Sequence, residues 1–94
     1  MKFSYDYTAD ALYIKITDSL VDQTHQIDSG TMVDVDNFGR VVGIEVLQPA
    51  RAWPLEDIKS QYNLTTNEKA ILDSLWSQVT HTPYPFARPL MASS

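Results

Sequence analysis

Residues 33–45 read VDVDNFGRVVGIE, and this stretch is compatible with two different structures. Its acids follow the calcium-loop pattern D-x-[DN]-x-[DN]-G-x5-E, with Asp34, Asp36 and Glu45 at the first, third and twelfth positions. Apolar and acidic residues also alternate on the way into Gly39, as they do in two strands joined by a tight turn. The first interpretation predicts a metal site, and the second predicts a β-hairpin.

The hairpin interpretation accounts for more of the sequence. A calcium loop uses an oxygen ligand at its fifth position and is flanked by helices. Here the fifth position is a phenylalanine, and the preceding residues DSGTMV have no helical pattern. In the hairpin Gly39 takes the left-handed conformation, and Val33 lies opposite Val42. We therefore expect Val33 and Val35 to be buried.

The acids of this hairpin should face the other side of the sheet. Strand parity places Asp34 and Asp36 there, together with Val41 and Glu45. A row of acids facing solvent is the simplest interpretation. A weak divalent-cation site at Asp34, Asp36 and Glu45 is the alternative, although one ligand of the pattern is missing.

Alternation with a period of two also runs through the preceding residues and predicts more strands. The link over residues 8–11 is short, and Asp10 can cap its turn, so the strands on either side should form a hairpin. Residues 40–47 are apolar on both faces, which is typical of a central or covered strand. The predicted strands lie within residues 2–7, 12–17, 21–28, 31–36 and 40–47.

The pattern changes after residue 48. Residues 49–64 contain two prolines and predict a connector with a short helical turn. Thr65 and Glu68 form a capping-box pattern, which starts an amphipathic helix over residues 65–80. Residues 81–94 carry three prolines and predict an extended arm. The apolar stripe of the helix consists of Leu72, Leu75, Trp76 and Val79.

Together these elements predict an α+β fold in one domain of 94 residues. Residues 1–48 form an antiparallel meander of four to five strands, followed by one C-terminal helix and the Pro-rich arm. The helix covers its own sheet or, by exchange across the connector, the sheet of a neighbouring protomer.

Composition and charge exclude several classes of function. The chain has no cysteine, which excludes disulfides, thiolate metal sites and a cysteine nucleophile. The net charge is −5, and residues 1–47 hold eight acids against three bases. Because phosphate neutralisation dominates nucleic-acid affinity, we expect no nucleic acid to bind this chain alone. No apolar run predicts a membrane span or a secretory leader, so we expect a cytoplasmic protein.

Two stretches resemble a known family. YDYTADALYI (residues 5–14) and MVDVDNFGRVVGIEVL (residues 32–47) are similar to the two halves of a small bacterial family of uncharacterised proteins, sometimes called YuzE-like. The resemblance covers about residues 3–48 and implies no catalytic residue or cofactor. Because genes of this family often lie beside genes for small toxins, it does imply an antitoxin-like, protein-binding role.

Few residues form a catalytic pattern. Asp6 and Asp10 lie four residues apart across a turn, and paired carboxylates can act as acid and base when their pKa values differ. Turn capping is the commoner role of such residues. His25 has no acid or histidine at ligand spacing. An enzyme therefore remains an alternative that requires Asp6, Asp10 and His25 to share one pocket.

Four aromatic residues of the second half are the predicted contact residues, namely Trp53, Trp76, Tyr84 and Phe86. For Trp76, on the helical stripe, packing in the core is an equally ordinary role. The sequence thus favours a non-enzymatic module that binds a protein, such as a small basic one, and that self-associates as a homo-oligomer, most simply a dimer, through its helix and arm.

Overall fold

The structure, a computed structural model, describes residues 1–80. The predicted arm and its two contact residues, Tyr84 and Phe86, lie outside the described residues. No helix in the described part is long and apolar enough to cross a membrane. The elements are β1 (Lys2–Asp6), β2 (Ala11–Lys15), β3 (Gln23–Asp28), β4 (Thr31–Val35), β5 (Val41–Leu47), α1 (Leu55–Gln61) and α2 (Thr66–Val79).

The five strands form one antiparallel sheet in the order β1-β2-β5-β4-β3. The antiparallel α+β architecture and the central position of β5 are as predicted. The simple meander is wrong, because β5 and not β3 lies beside β2. The sequences explain this order: β5, VVGIEVL, is buried along most of its length, whereas β3, QTHQID, is polar and suits an edge.

The register of the β4–β5 hairpin also differs from the prediction. Val33 lies opposite Ile44, not opposite Val42, and Val35 lies opposite Val41. A bulge between these pairs leaves Val42 without a partner in β4. Val33 and Val35 are buried as expected, but Val41 joins them in the core instead of facing the acids.

The second half contains two helices, so the prediction of one helix is incomplete. The connector holds the seven-residue α1 and not only a helical turn. α2 begins as predicted, because the Thr65 side chain accepts a hydrogen bond from Glu68 N and the Glu68 side chain accepts one from Thr65 N. It ends at Val79, with Thr80 as C-cap.

Both helices pack on the same face of their own sheet. Each fully buried aliphatic side chain of this core contributes about 1.5 to 3 kcal/mol. The other face, which neither helix covers, is called the open face below. The core consists of Leu12, Ile14, Val33, Val35, Val41, Ile44, Val46, Trp53, Leu55, Ile58, Leu64, Leu72, Leu75 and Val79. The open face carries Ser4, Tyr13, Lys15, Thr24, Gln26, Met32, Asp34, Gly43 and Glu45.

Candidate functional site

A chain of hydrogen bonds crosses the middle of the open face. The Tyr13 hydroxyl on β2 donates to Asp34 Oδ2 on β4 at 2.9 Å. The Thr24 hydroxyl on the edge strand β3 donates to Asp34 Oδ1 at 2.6 Å. Both oxygens of the carboxylate are therefore engaged, and the three side chains join β2, β4 and β3 across the intervening β5.

Gly43 makes this crossing possible. It lies on β5 between Tyr13 and Asp34, and a Cβ atom at this position would overlap the Tyr13 hydroxyl and lie 2.5 Å from Tyr13 Cζ. The tyrosine ring thus rests directly on the glycine backbone, a close approach that only a residue without a side chain allows.

The same environment determines the protonation of Tyr13. Burial, the hydrogen bond to Asp34 and the negative charges of Asp34 and Glu45 raise the pKa of Tyr13 to about 12. The hydroxyl is therefore protonated near neutral pH and acts as a donor. It is poorly suited to act as a nucleophile or a general base.

Glu45 lies at the centre of the open face. In the sheet register it is opposite Tyr13 on β2 and opposite Met32 on β4. Glu45 is half-buried, yet its carboxylate forms no hydrogen bond or ion pair within residues 1–80. Among the described residues Glu45 is thus a carboxylate with unused acceptor oxygens, and it lies between two side chains that offer apolar contact.

The structure does not bring the three acids of the calcium-loop pattern into one cluster. Asp34 is engaged by Tyr13 and Thr24, whereas Asp36 Oδ1 accepts from the backbone N–H groups of residues 38 and 40 and so caps its own turn. Across residues 1–80 no group of three or more His, Cys, Asp or Glu side chains could hold a metal ion. Gly39 has φ of 78°, as the turn requires.

The three residues that an enzyme would need in one pocket do not come together, because His25 lies far from Asp6 and Asp10. Asp6 Oδ1 accepts from Thr8 N and Ala9 N, so Asp6 and not Asp10 caps the first turn. Asp10, at φ 51°, accepts from a tyrosine hydroxyl of β1. His25 lies on β3, four strand positions away from β1, or about 19 Å.

A cluster around Arg51 has no counterpart among the residues predicted from the sequence. Its Nη1 donates to Asp28 Oδ2 at 3.0 Å, its Nη2 donates to the buried Thr31 hydroxyl at 2.6 Å, and its Nε donates to Leu47 O at 2.9 Å. The guanidinium lies against Gly30, where a Cβ would be 2.8 Å from Nη2. One arginine thus joins the β3–β4 turn, the end of β5 and the connector. An isolated arginine between prolines gives no signal of this in the sequence.

The arginine also changes the ionisation of Asp28. Partial burial opposes the charged form of Asp28, but hydrogen bonds from Arg51, Gly30 N and Thr31 outweigh it and lower the pKa of the carboxyl below its usual value. The ion pair therefore persists at neutral pH and has a structural role.

His25 contributes to a second contact between sheet and helices. Its Nδ1 lies 2.8 Å from the Tyr62 hydroxyl, and its Nε2 lies 3.1 Å from Gln23 Oε1. In the neutral tautomer whose Nε2–H donates to the amide oxygen, Nδ1 accepts a hydrogen bond from the Tyr62 hydroxyl. Burial raises the pKa of Tyr62. This pair holds the end of α1 against β3.

The described tryptophans belong to the helical layer. Trp53 is 1% exposed and packs in the core, so it presents no contact surface in this structure. Trp76 is half-buried, and its Nε1 donates to Trp53 O at 2.8 Å. The pair fixes the connector on α2.

Comparison with known proteins gives one match. A family model described as a protein of unknown function, DUF2283, matches residues 2–48, which is half of the chain and includes all five strands of the sheet. This confirms the predicted membership of an uncharacterised family over residues 3–48, whereas the YuzE-like name is not part of the match. The searches of curated proteins and of solved structures returned no match.

Proposed function

The chain belongs to the DUF2283 family of unknown function, and we propose that it is a small non-enzymatic module that binds another protein through its open face. The single observation that supports this function is Glu45. Its half-buried carboxylate has no partner among the described residues. A cation supplied by a second molecule would therefore meet acceptor oxygens that no described residue uses, at the centre of a sheet face that neither described helix covers.

The surroundings of Glu45 favour a protein over a free ion. Tyr13 and Met32 flank it in the sheet register and offer aromatic and thioether contacts, which are typical of the centre of protein interfaces. A lysine or arginine side chain could place its apolar stem on these residues and its charge on Glu45. One carboxylate without further free ligands is a poor cage for a metal ion.

The charge of the sheet half favours a basic partner. Residues 1–47, which include the sheet, hold eight acids against three bases, and Lys15 is already paired with Asp18 at 2.9 Å. We therefore propose a small basic protein as partner, in the manner of an antitoxin that covers a basic toxin in the cytoplasm. No catalytic step is part of this proposal, because Tyr13, Thr24 and Asp34 are hydrogen-bonded to one another and the raised pKa of Tyr13 keeps its hydroxyl protonated near neutral pH.

An affinity capture from native lysate with matched baits tests this function. The wild-type chain and Asp22→Asn should each recover one small basic protein in stoichiometric amount, since Asp22 is exposed and lies outside the open face. Glu45→Gln should recover at least about tenfold less of it, because the neutral amide leaves the partner's cation unpaired. Higher salt should weaken the wild-type complex.

Equal recovery by the wild-type and Glu45→Gln baits would contradict binding at this face. A circular dichroism melt of each bait serves as the folding control. Since Glu45 makes no described hydrogen bond, Glu45→Gln should melt within a few degrees of the wild type.

A further inference from the structure

β1 is an edge strand with exposed apolar side chains. Within residues 1–80 it pairs only with β2, so no described strand lies along its outer edge. Phe3 on this strand is 43% exposed, and Met1 and Tyr7 at its two ends are also exposed. An edge of this kind is a template for pairing with another strand.

The sequence of this edge is complementary to itself. When KFSYD is paired antiparallel with a second copy about Ser4, Lys2 lies opposite Asp6 and Phe3 lies opposite Tyr5. A parallel pairing in register would place like charges together and is disfavoured. Asp6 uses only Oδ1 to cap its turn, so within the described residues Oδ2 is free for a lysine of the second copy.

The helical layer supports the same pairing. A shallow apolar groove runs beside Phe3 along α2, where Ile71 and Leu75 form its wall. Phe3 and Tyr5 lie opposite core residues of β2 and so point to the helical side of the sheet. In the antiparallel pair, the aromatic side chains of the second copy therefore approach this groove, where they are removed from water.

We propose that the protein forms a symmetric homodimer by antiparallel pairing of β1 with β1 about Ser4, so that two five-stranded sheets become one continuous sheet. The two-fold axis is perpendicular to the sheet, which places both open faces on the same side. The dimer thus presents two Glu45 surfaces to one partner assembly. The interface uses residues separate from Glu45 and goes beyond the proposed function.

The mass of the full-length protein in solution tests the dimer. Sedimentation across a wide concentration range should give a dimer with a dissociation constant on the order of micromolar, since short-strand interfaces are small. Phe3→Glu should raise that constant at least about tenfold, by placing a charge in the apolar groove. The matched control Phe38→Glu, in the exposed β4–β5 turn, should leave it unchanged. Lys2→Glu, which keeps every described core contact, should also weaken the dimer, because it faces Asp6 of the second copy.

Cross-linking tests the register. The chain has no cysteine, so Ser4→Cys introduces one thiol per copy at the proposed axis. Directly opposed Cα atoms of antiparallel strands lie about 4.5 to 5.5 Å apart, which a disulfide spans. Mild oxidation should link this variant much faster than Ser19→Cys, which lies in the exposed β2–β3 loop.

Three results would each overturn the proposal: a monomeric wild type up to about millimolar concentration, no effect of Phe3→Glu and Lys2→Glu on the mass, or equal linking rates for Ser4→Cys and Ser19→Cys. The proposed partner binding is tested separately, since Glu45→Gln should leave the dimer mass unchanged.

Discussion

The Tyr13 hydroxyl donates a hydrogen bond to Asp34 across the backbone of Gly43, so a side chain of β2 is held by a carboxylate of β4 over the strand between them. The two residues are 21 positions apart in the chain. Their contact organises the centre of the open face and leaves Glu45 beside it without a described partner. Gly43, Tyr13 and Asp34 therefore form one structural unit. Substitutions at each position test its parts separately.

Replacing Gly43 should destabilise the protein through Tyr13. Gly43→Ala places a Cβ against the tyrosine ring, and we expect the free energy of unfolding to fall by about 1 to 3 kcal/mol. In a Tyr13→Ala background the same substitution should cost much less, because the obstructing ring is gone. Urea denaturation of the wild type, Gly43→Ala, Tyr13→Ala and the double variant gives the coupling free energy between the two positions. Gly39→Ala is the control: its cost comes from φ of 78° and should not change with Tyr13→Ala.

The raised pKa of Tyr13 should make stability depend on alkaline pH. The value of about 12 in the folded state lies above the ordinary value of 10.0. The stabilisation is therefore fully present below pH 10.0 and is lost as the pH rises through about 12. As the pH rises from 10.0 to about 12, the free energy of unfolding should fall less for Tyr13→Phe than for the wild type. The difference should reach up to about 2 kcal/mol after allowance for solvent screening.

Denaturation at a series of alkaline pH values measures this difference. Tyr7→Phe serves as the control, because Tyr7 is exposed and lies outside the open face. Identical pH profiles for Tyr13→Phe and the wild type would show that Tyr13 ionises as freely as in the unfolded chain.

Removing Arg51 should loosen the end of the sheet. Arg51→Gln leaves Asp28, the buried Thr31 hydroxyl and Leu47 O without their common donor, and we expect a loss of about 1 to 3 kcal/mol at neutral pH. Arg40→Gln, in the exposed β4–β5 turn, should change stability by less than about 0.5 kcal/mol.

The effect of Arg51 should also depend on acid pH. Because the folded protein lowers the pKa of Asp28 below 3.8, this stabilisation is present above pH 3.8 and is lost as the pH falls through the folded value. The difference between Arg51→Gln and the wild type should therefore shrink in acid. A difference that stays constant below pH 3.8 would mean that the ion pair contributes nothing to it.

Truncation after residue 62 should unfold the domain. α2 supplies Leu72, Leu75 and Val79 to the single core, so its removal exposes the helical side of the sheet to water. Far-ultraviolet circular dichroism should show loss of the folded spectrum. Leu72→Ala tests the same core with a smaller change, and we expect the free energy of unfolding to fall by about 2 to 5 kcal/mol. Leu20→Ala is its control, because Leu20 is 89% exposed. A truncated chain that keeps a cooperative melt would contradict one shared core.

Local patterns were sufficient for every described element except α1. Alternation located the strands, and the Thr65–Glu68 capping box located the start of α2, because both signals depend on neighbours within a few residues. The missing ligand at Phe38 correctly favoured a hairpin over a calcium loop. α1 was underestimated, because a short helix without a side-chain cap leaves little pattern.

Register and strand order required the tertiary structure. Val41, Val42 and Ile44 make β5 apolar on both faces, so its alternation could not reveal the bulge or the pairing of Val33 with Ile44. The polar β3 lies at the edge of the sheet, and the apolar β5 lies in its centre. Burial of β5 there stabilises the fold more than the short β2–β3 connection of a meander would.

The sequence by itself determined the α+β class, the hairpin in VDVDNFGRVVGIE, the capped helix and the acidic sheet half, since each follows from local periodicity, turn chemistry or composition. Only the tertiary structure decided that Tyr13 reaches Asp34, that Arg51 joins Asp28 to Thr31, and that Glu45 has no described partner. The physical reason is distance along the chain: these contacts join residues more than 19 positions apart, and their geometry exists only after the strands have paired.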